Sequence, residues 1–206
     1  IVSEIRARFE STAPSLGLGD RLHIEERTGR VDTLLSEYAR VFDMLVIGRN
    51  ATEDVDEHLV LHPDRIALLS GRPILIVPEH HTGPARHDRA VIAWDGGRAA
   101  ARALSDSLAL LEDQGSVTVL TIGDISPAIP ASAVRRHLER HSIDAKVEHI
   151  DADPGVARAL VAYCKSQQPG LLVMGAYEHS KFREDFMGGV TARVLQTVPV
   201  PVLMSH

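Results

Sequence analysis

The chain has few aromatic residues, which make up 4% of its 206 residues. Base-stacking platforms and cages for quaternary ammonium groups both need several aromatic rings. The composition therefore argues against these two kinds of binding surface.

An excess of positive charge and long apolar runs are also absent. There are 22 Lys and Arg residues against 28 Asp and Glu, which gives a formal net charge of −6. Without a basic surface we expect no nucleic-acid partner. No apolar run approaches the roughly 20 residues that cross a bilayer, so we expect no membrane partner.

Cysteine occurs once, at Cys164, which excludes an internal disulfide. A single thiol fits a reducing cytoplasm, and we predict that location. Cys164 shares a helix face with Leu160 and Val161, so it is predicted to lie in the core and not to act as a nucleophile.

What the chain does contain is an alternation of apolar runs with helical periodicity. From Arg89 onward the pattern predicts five strands alternating with four helices, which specifies a doubly wound parallel α/β sheet. The predicted strands are 91–94, 117–122, 146–150, 171–174 and 200–204.

The first half repeats part of this pattern. Residues 29–50 have the same order of helix, break and strand as residues 155–177, and residues 65–78 match residues 193–205. The segment between the halves is polar and contains Gly and Pro, as linkers do. We therefore predict two similar domains, residues 1–79 and 88–206.

A loop rich in glycine follows the fourth strand of the second half. The strand ends at Gly175, and the pair Gly188-Gly189 opens an amphipathic helix. In this layout, backbone N–H groups and a helix amino terminus converge on an anion. The alternative is that the glycines serve only a tight loop-to-helix turn.

The spacing of this loop resembles the nucleotide loop of the universal stress protein family. It has Gly175, two residues, Glu178, nine residues and then Gly188-Gly189. Further landmarks shared with tandem members of the family are AWDGG, MGAY, GGVT, SGRPILIVP and TVPVPVLM. The resemblance implies two tandem five-stranded sheets of strand order 3-2-1-4-5, similar to adenine-nucleotide alpha-hydrolases, with the first truncated at its amino terminus.

Nine site residues are implied by the resemblance. They are Ala93, Asp95, Ile122, Met174, Gly175, Gly188, Gly189, Val190 and Thr191. Asp95 would accept hydrogen bonds from ribose or adenine, and Ala93 and Ile122 would form apolar walls near the base. The alternative for Asp95 is a turn or helix-capping residue, because Asp-Gly-Gly is suited to a turn before a helix.

The phosphates would be held at the start of the last helix. Met174 and Gly175 would lie beside the ribose and phosphates, while the N–H groups of Gly189 and Val190 and the Thr191 hydroxyl would bind phosphate oxygens. The implied ligand is ATP or AMP, with Mg²⁺ accompanying ATP, and otherwise no cofactor.

Two residues depart from the family pattern. Gly189 stands where a Ser or Thr is usual, which removes one hydroxyl donor. Glu178 replaces a Gly, and a carboxylate about 5 Å from a phosphate would repel it by about 3 kcal/mol if it points inward. These changes favour a monophosphate over ATP.

The corresponding loop of the first half is less suited to an anion, since residues 49–57 include four acidic residues and no paired glycine. We therefore predict at most one nucleotide site, in a non-enzymatic stress-response protein that acts through ligand-dependent interactions. The alternative is a nucleotide-free scaffold with vestigial loops. A slow ATPase is a minor alternative, because the sequence has no P-loop Lys.

The first half is shorter than the second. Ile1, Val2, Ile5 and Phe9 resemble the face of its second helix, and Leu22–Glu25 resembles its third strand. In the implied order, two strands would separate that strand from its neighbours. We therefore expect further residues before Ile1 in the natural protein.

The fifth strands are predicted to pair. Ile74–Val77 and Val200–Met204 are apolar runs at the edges of their sheets, and exposed edges of this kind pair readily. We expect the two halves to form an internal pseudo-dimer through these strands. The sequence leaves open whether the chains also assemble into a higher homo-oligomer.

Two histidine pairs have the i, i+4 spacing of metal ligands: His58 with His62, and His137 with His141. Neither has a third ligand at motif spacing. We interpret both pairs as solvated surface residues and predict no metal site.

Overall fold

The computed structural model describes residues 2–49, 61–79, 81, 89–112, 115–124, 127–176 and 190–206. The chain divides into two compact units, residues 1–30 and 31–206. The helices are α1 (Val2–Ser15), α2 (Val31–Tyr38), α3 (Pro63–Ser70), α4 (Arg98–Leu111), α5 (Ala131–Arg140), α6 (Val156–Gln167) and α7 (Val190–Thr197). The strands are β1 (Leu45–Arg49), β2 (Ile74–Pro78), β3 (Arg89–Ala93), β4 (Ser116–Ile122), β5 (Ala145–Ile150), β6 (Leu171–Gly175) and β7 (Val202–Ser205).

The smaller unit contains α1 and an irregular segment. The predicted helix is present, but the residues of its predicted apolar face are exposed: Val2, Ile5 and Phe9 are 58%, 50% and 57% exposed. Within this unit Arg6 Nη2 lies 2.6 Å from Glu26 Oε1, an exposed ion pair.

The prediction of a strand at Leu22–Glu25 is wrong, because these residues form no strand. A strand is stable only where a neighbour completes its ladder of backbone hydrogen bonds. None of the strands in the described part of the chain pairs with this segment.

The larger unit contains one seven-stranded sheet in the order β1-β2-β7-β6-β3-β4-β5. Its five strands from the second half are mutually parallel. Numbered within that half, they follow the order 3-2-1-4-5. The predicted fold class, a doubly wound parallel α/β sheet, is therefore confirmed.

The two fifth strands pair with each other in antiparallel orientation. Ile74 lies opposite Met204, and Ile76 lies opposite Val202. Strand β7 begins only at Val202, after Pro201, which has no N–H to donate to a ladder. Because of this pairing, strands from both halves form one continuous sheet and not two separate ones.

Helices cover both faces of the sheet. One buried cluster contains side chains of α4 and α5, and the other contains side chains of α3, α6 and α7. Cys164 is fully buried in the second cluster, as predicted. Burial raises the pKa of its thiol to about 12. Within the described ranges, no helix has the length and apolar character needed to cross a membrane.

Candidate functional site

The candidate site lies at the carboxyl ends of β3 and β6, which are neighbours in the sheet. From β3 the chain proceeds to β4 and β5 on one side, and β6 and β7 lie on the other. The connections therefore diverge between β3 and β6. In open α/β sheets, ligands bind in the crevice at such a switch point.

The structure brings five of the predicted residues to the carboxyl edge of the sheet. Ala93, at the end of β3, is in register with Met174 of β6. Gly175 is the last residue of β6, and Asp95 follows β3 by two residues. Ile122 ends the adjacent strand β4. The sequence thus predicted correctly which strand ends lie together.

The apolar members of the set belong to the core beneath α6 and α7. Ile122 and Met174 are only 6% and 5% exposed, and Ala93 packs against the same cluster. Side chains buried this deeply stabilise the sheet in their own right. Their contact with a base stays a prediction.

Asp95 forms a local turn. Its Oδ1 accepts a hydrogen bond from the N–H of Gly97 at 2.9 Å, and Gly97 is the N-cap residue of α4. This confirms the turn role considered for Asp95. A carboxylate has about four acceptor positions, so this bond is compatible with a ribose or adenine contact, which stays a prediction.

The turn containing Asp95 packs against the segment that follows β4. Gly96 has φ +83°, and a Cβ placed on it would lie 2.3 Å from Pro127 Cβ. The Trp94 indole N–H donates to the carbonyl of Ile129 at 2.9 Å. The Asp-Gly-Gly pattern predicts the turn but not this contact, because no local pattern links the turn to Pro127.

Gly96→Ala is expected to lower the free energy of unfolding by about 2 kcal/mol, from left-handed backbone strain plus overpacking against Pro127. Gly71→Ala is the matched control, because Gly71 has φ +66° and a Cβ added there would have nothing within 4 Å. Gly71→Ala should show the backbone strain alone, about 1 kcal/mol. Urea unfolding of both variants measures the difference, and equal losses would show that the Pro127 contact contributes nothing.

Gly175 is required by helix packing. A Cβ at this position would lie 2.5 Å from the backbone nitrogen of Ala100 and 2.6 Å from the carbonyl carbon of Ala99. Its backbone does not adopt the left-handed conformation. The close approach at Gly175 is therefore made by the first turn of α4.

Helix α7 begins at the same edge of the sheet. It connects β6 to β7, and since these strands are parallel, the helix runs back from the carboxyl edge. The first N–H groups of a helix lack intrahelical acceptors and carry a partial positive charge. Val190 and Thr191 lie in this first turn, and neither is acidic.

Thr191 is the one predicted phosphate ligand whose side chain is buried. It is 6% exposed, and within the described ranges its hydroxyl has no hydrogen-bond partner. A threonine hydroxyl can both donate and accept hydrogen bonds, and its contact with a phosphate stays a prediction.

Three predicted features lie outside the described residues. These are Gly188 and Gly189, the acidic loop of the first half, and the Glu178 carboxylate. Their parts in phosphate binding stay predictions from the sequence.

The histidine pairs show no metal-binding arrangement in the described part of the chain. His62 Nδ1 lies 2.9 Å from Asp32 Oδ2. His58, the other histidine of that pair, lies outside the described residues. The rings of His137 and His141 meet edge to face, 4.9 Å between centroids. No group of three or more His, Cys, Asp or Glu side chains suited to a metal occurs in the described part of the chain.

The chain is thus a doubly wound α/β protein in which a helix begins at the switch point of the sheet, the place where open sheets of this class bind their ligands. Residues 87–206 match the family model of the universal stress proteins. This match covers more than half of the chain, which therefore belongs to the universal stress protein family.

Known proteins of similar sequence and structure agree with this assignment. A universal stress protein of Synechocystis sp. is 24% identical over 207 residues, which cover 97% of this chain and 70% of that protein. A universal stress protein from Archaeoglobus fulgidus DSM 4304 has a TM-score of 0.68 at 14% identity, covering 99% of this chain and 78% of that one. A functionally unknown protein from Pseudomonas aeruginosa PAO1 has a TM-score of 0.61 at 13% identity, covering 97% and 77%. The two structural likenesses show the fold.

Proposed function

We propose that this universal stress protein binds one adenine nucleotide, AMP or ATP, at the carboxyl edge of its second-half sheet. Binding would alter the surface that the chain offers to partners in a stress response. The observation that carries the proposal is the buried hydroxyl of Thr191 in the first turn of α7, which has no partner within the described ranges.

The donors at this position fit a phosphate group. Val190 and Thr191 provide N–H groups at the positive end of a helix, and Thr191 adds a hydroxyl. An anion accepts from all of these donors at once, and hydrogen bonds to charged groups contribute about 1.5–3 kcal/mol each. Ala93 is only partly buried and would be available to the base, whereas Ile122 is buried in the core and would support that wall from beneath.

AMP is proposed as the preferred nucleotide. A triphosphate brings more negative charge to a loop that carries Glu178, and Gly189 lacks the hydroxyl that would hold a further oxygen. A monophosphate uses the α7 donors while placing less charge near the carboxylate.

The competing function is that of a nucleotide-free scaffold. It is favoured by two observations, because Gly175 and Asp95 both have structural roles that need no ligand. Hydrolysis is not proposed, because the sequence has no P-loop Lys.

The Thr191→Val variant tests the proposal. Loss of one hydroxyl that binds a charged oxygen should weaken AMP binding about 10- to 100-fold. Calorimetric titration with AMP measures the change.

Thr197→Val is the matched control, because Thr197 lies in the last turn of the same helix. Its exposed hydroxyl donates to the Arg193 carbonyl at 2.7 Å. This variant should bind AMP like the unaltered chain. Equal affinities for the two variants would show that the Thr191 hydroxyl holds no phosphate.

A further inference from the structure

Arg49, at the end of β1, reaches from the first half to the last helix of the second half. Its Nη1 donates to the carbonyl of Leu195 at 2.6 Å and to the carbonyl of Val198 at 2.9 Å. Both carbonyls lie at the carboxyl end of α7. One guanidinium nitrogen thus holds the end of this helix opposite to Thr191.

This contact has a clear electrostatic basis. The last carbonyls of a helix lack intrahelical donors, and that end carries a partial negative charge. Arg49 is half-buried, and the loss of solvent lowers the pKa of its guanidinium. No carboxylate in the described part of the chain forms an ion pair with Arg49. The two carbonyls of α7 are therefore the partners that the structure gives for its charge.

We infer that Arg49 is a positioning residue for the nucleotide site, because it fixes the carboxyl end of α7 and thereby the direction in which Val190 and Thr191 face the ligand. This inference rests on the proposed function. The helix has eight residues and is therefore only about 12 Å long. In so short a helix, a shift or fraying at the carboxyl end also displaces the residues at the amino end.

The inference assigns a role to the first half of the chain. That half has an acidic loop unsuited to an anion, yet its strand β1 carries the guanidinium that anchors the helix of the other half. The role of Arg49 is not predictable from the sequence, because Gly48-Arg49-Asn50 contains no local pattern that indicates a partner so distant in the chain.

The test compares Arg49→Gln and Arg49→Lys with a matched control, Arg72→Gln. Arg72 also binds a backbone carbonyl through its guanidinium, with Nε and Nη2 at 3.2 and 2.8 Å from the oxygen of Arg40. That contact does not involve α7. Two quantities are measured: AMP affinity by calorimetry, and amide hydrogen exchange of α7 without nucleotide.

Arg49→Gln should weaken AMP binding about tenfold and accelerate α7 exchange by a similar factor, as expected for one lost charge-assisted interaction. For both quantities, Arg49→Lys should give values between those of the unaltered chain and those of Arg49→Gln. An ammonium group keeps the positive charge but lacks the planar fork of N–H donors of a guanidinium. Arg72→Gln should leave both quantities unchanged.

Three results would overturn the inference. If α7 exchange is unchanged in Arg49→Gln, the helix is not anchored by this residue. If exchange accelerates while AMP affinity is unchanged, Arg49 is only a structural cap. If the unaltered chain binds no AMP, the proposed function fails and the positioning role fails with it, whereas α7 exchange still shows whether the anchor exists.

Discussion

Gly175→Val is expected to lower the free energy of unfolding by about 3 kcal/mol, near the upper end of the usual range for overpacking. The reason is that even the Cβ would lie 2.5 Å from the Ala100 backbone nitrogen and 2.6 Å from the Ala99 carbonyl carbon. Backbone atoms in the first turn of α4 cannot rotate away as a side chain can. The helix must therefore move off the sheet, and the buried contacts beneath α4 are weakened.

Thermal unfolding followed by circular dichroism measures this effect, and for a chain of this size about 3 kcal/mol corresponds to a fall of roughly 6–12 °C in Tm. Gly48→Val is the matched control. Gly48 lies in β1 at the corresponding position of the first half, with nothing within 4 Å of a Cβ. It should change stability by no more than about 0.5 kcal/mol. Similar losses at both positions would contradict the packing role of Gly175.

Gly188→Asp is expected to weaken AMP binding more than about a hundredfold. A carboxylate about 5 Å from a phosphate at an effective dielectric constant of about 20 repels it by about 3 kcal/mol. The expectation follows from the position of Gly188 two residues before Val190, where α7 begins. Calorimetric titration with AMP measures it.

Gly188→Asn separates charge from size, because asparagine has nearly the same shape as aspartate but is neutral. Gly188→Asn should lose much less AMP affinity than Gly188→Asp. The difference in affinity between the two variants should decrease as added salt screens the repulsion. If both variants bind AMP equally well, no phosphate lies near residue 188.

The regular elements of the second half could be predicted from the sequence because their signals are local. The apolar run Val117–Ile122 ends at Gly123 and corresponds to β4, which spans Ser116–Ile122. The pairing of the fifth strands was also predictable, because each half ends its sheet with an apolar strand and exposed apolar edges pair readily. Ile74–Ile76 and Val202–Met204 form that pairing.

The failures concern contacts between residues distant in the chain. Leu22–Glu25 has the composition of a strand, but a strand requires a neighbour, and composition does not supply one. The contact of Gly96 with Pro127 and the anchoring of α7 by Arg49 depend on tertiary packing, which periodicity does not reveal.

The candidate site was predictable in outline only. Strand order and the switch-point rule place Ala93, Asp95 and Gly175 at one edge of the sheet. The sequence did not reveal that Gly175 faces the backbone of α4. It offered both a turn role and a ligand role for Asp95, and the structure shows the turn, in which Asp95 accepts a hydrogen bond from the Gly97 N–H. A residue type suited to a ligand can be equally suited to a turn, and only geometry separates the two uses.

The central claim is that an anionic nucleotide group binds at the amino end of α7. The most direct measurement is calorimetric titration of the unaltered chain with AMP, ADP and ATP at fixed ionic strength. The account predicts saturable binding of one AMP per chain, with AMP bound at least as tightly as ATP. No binding at millimolar concentrations of any of the three nucleotides would contradict the claim and leave the scaffold function.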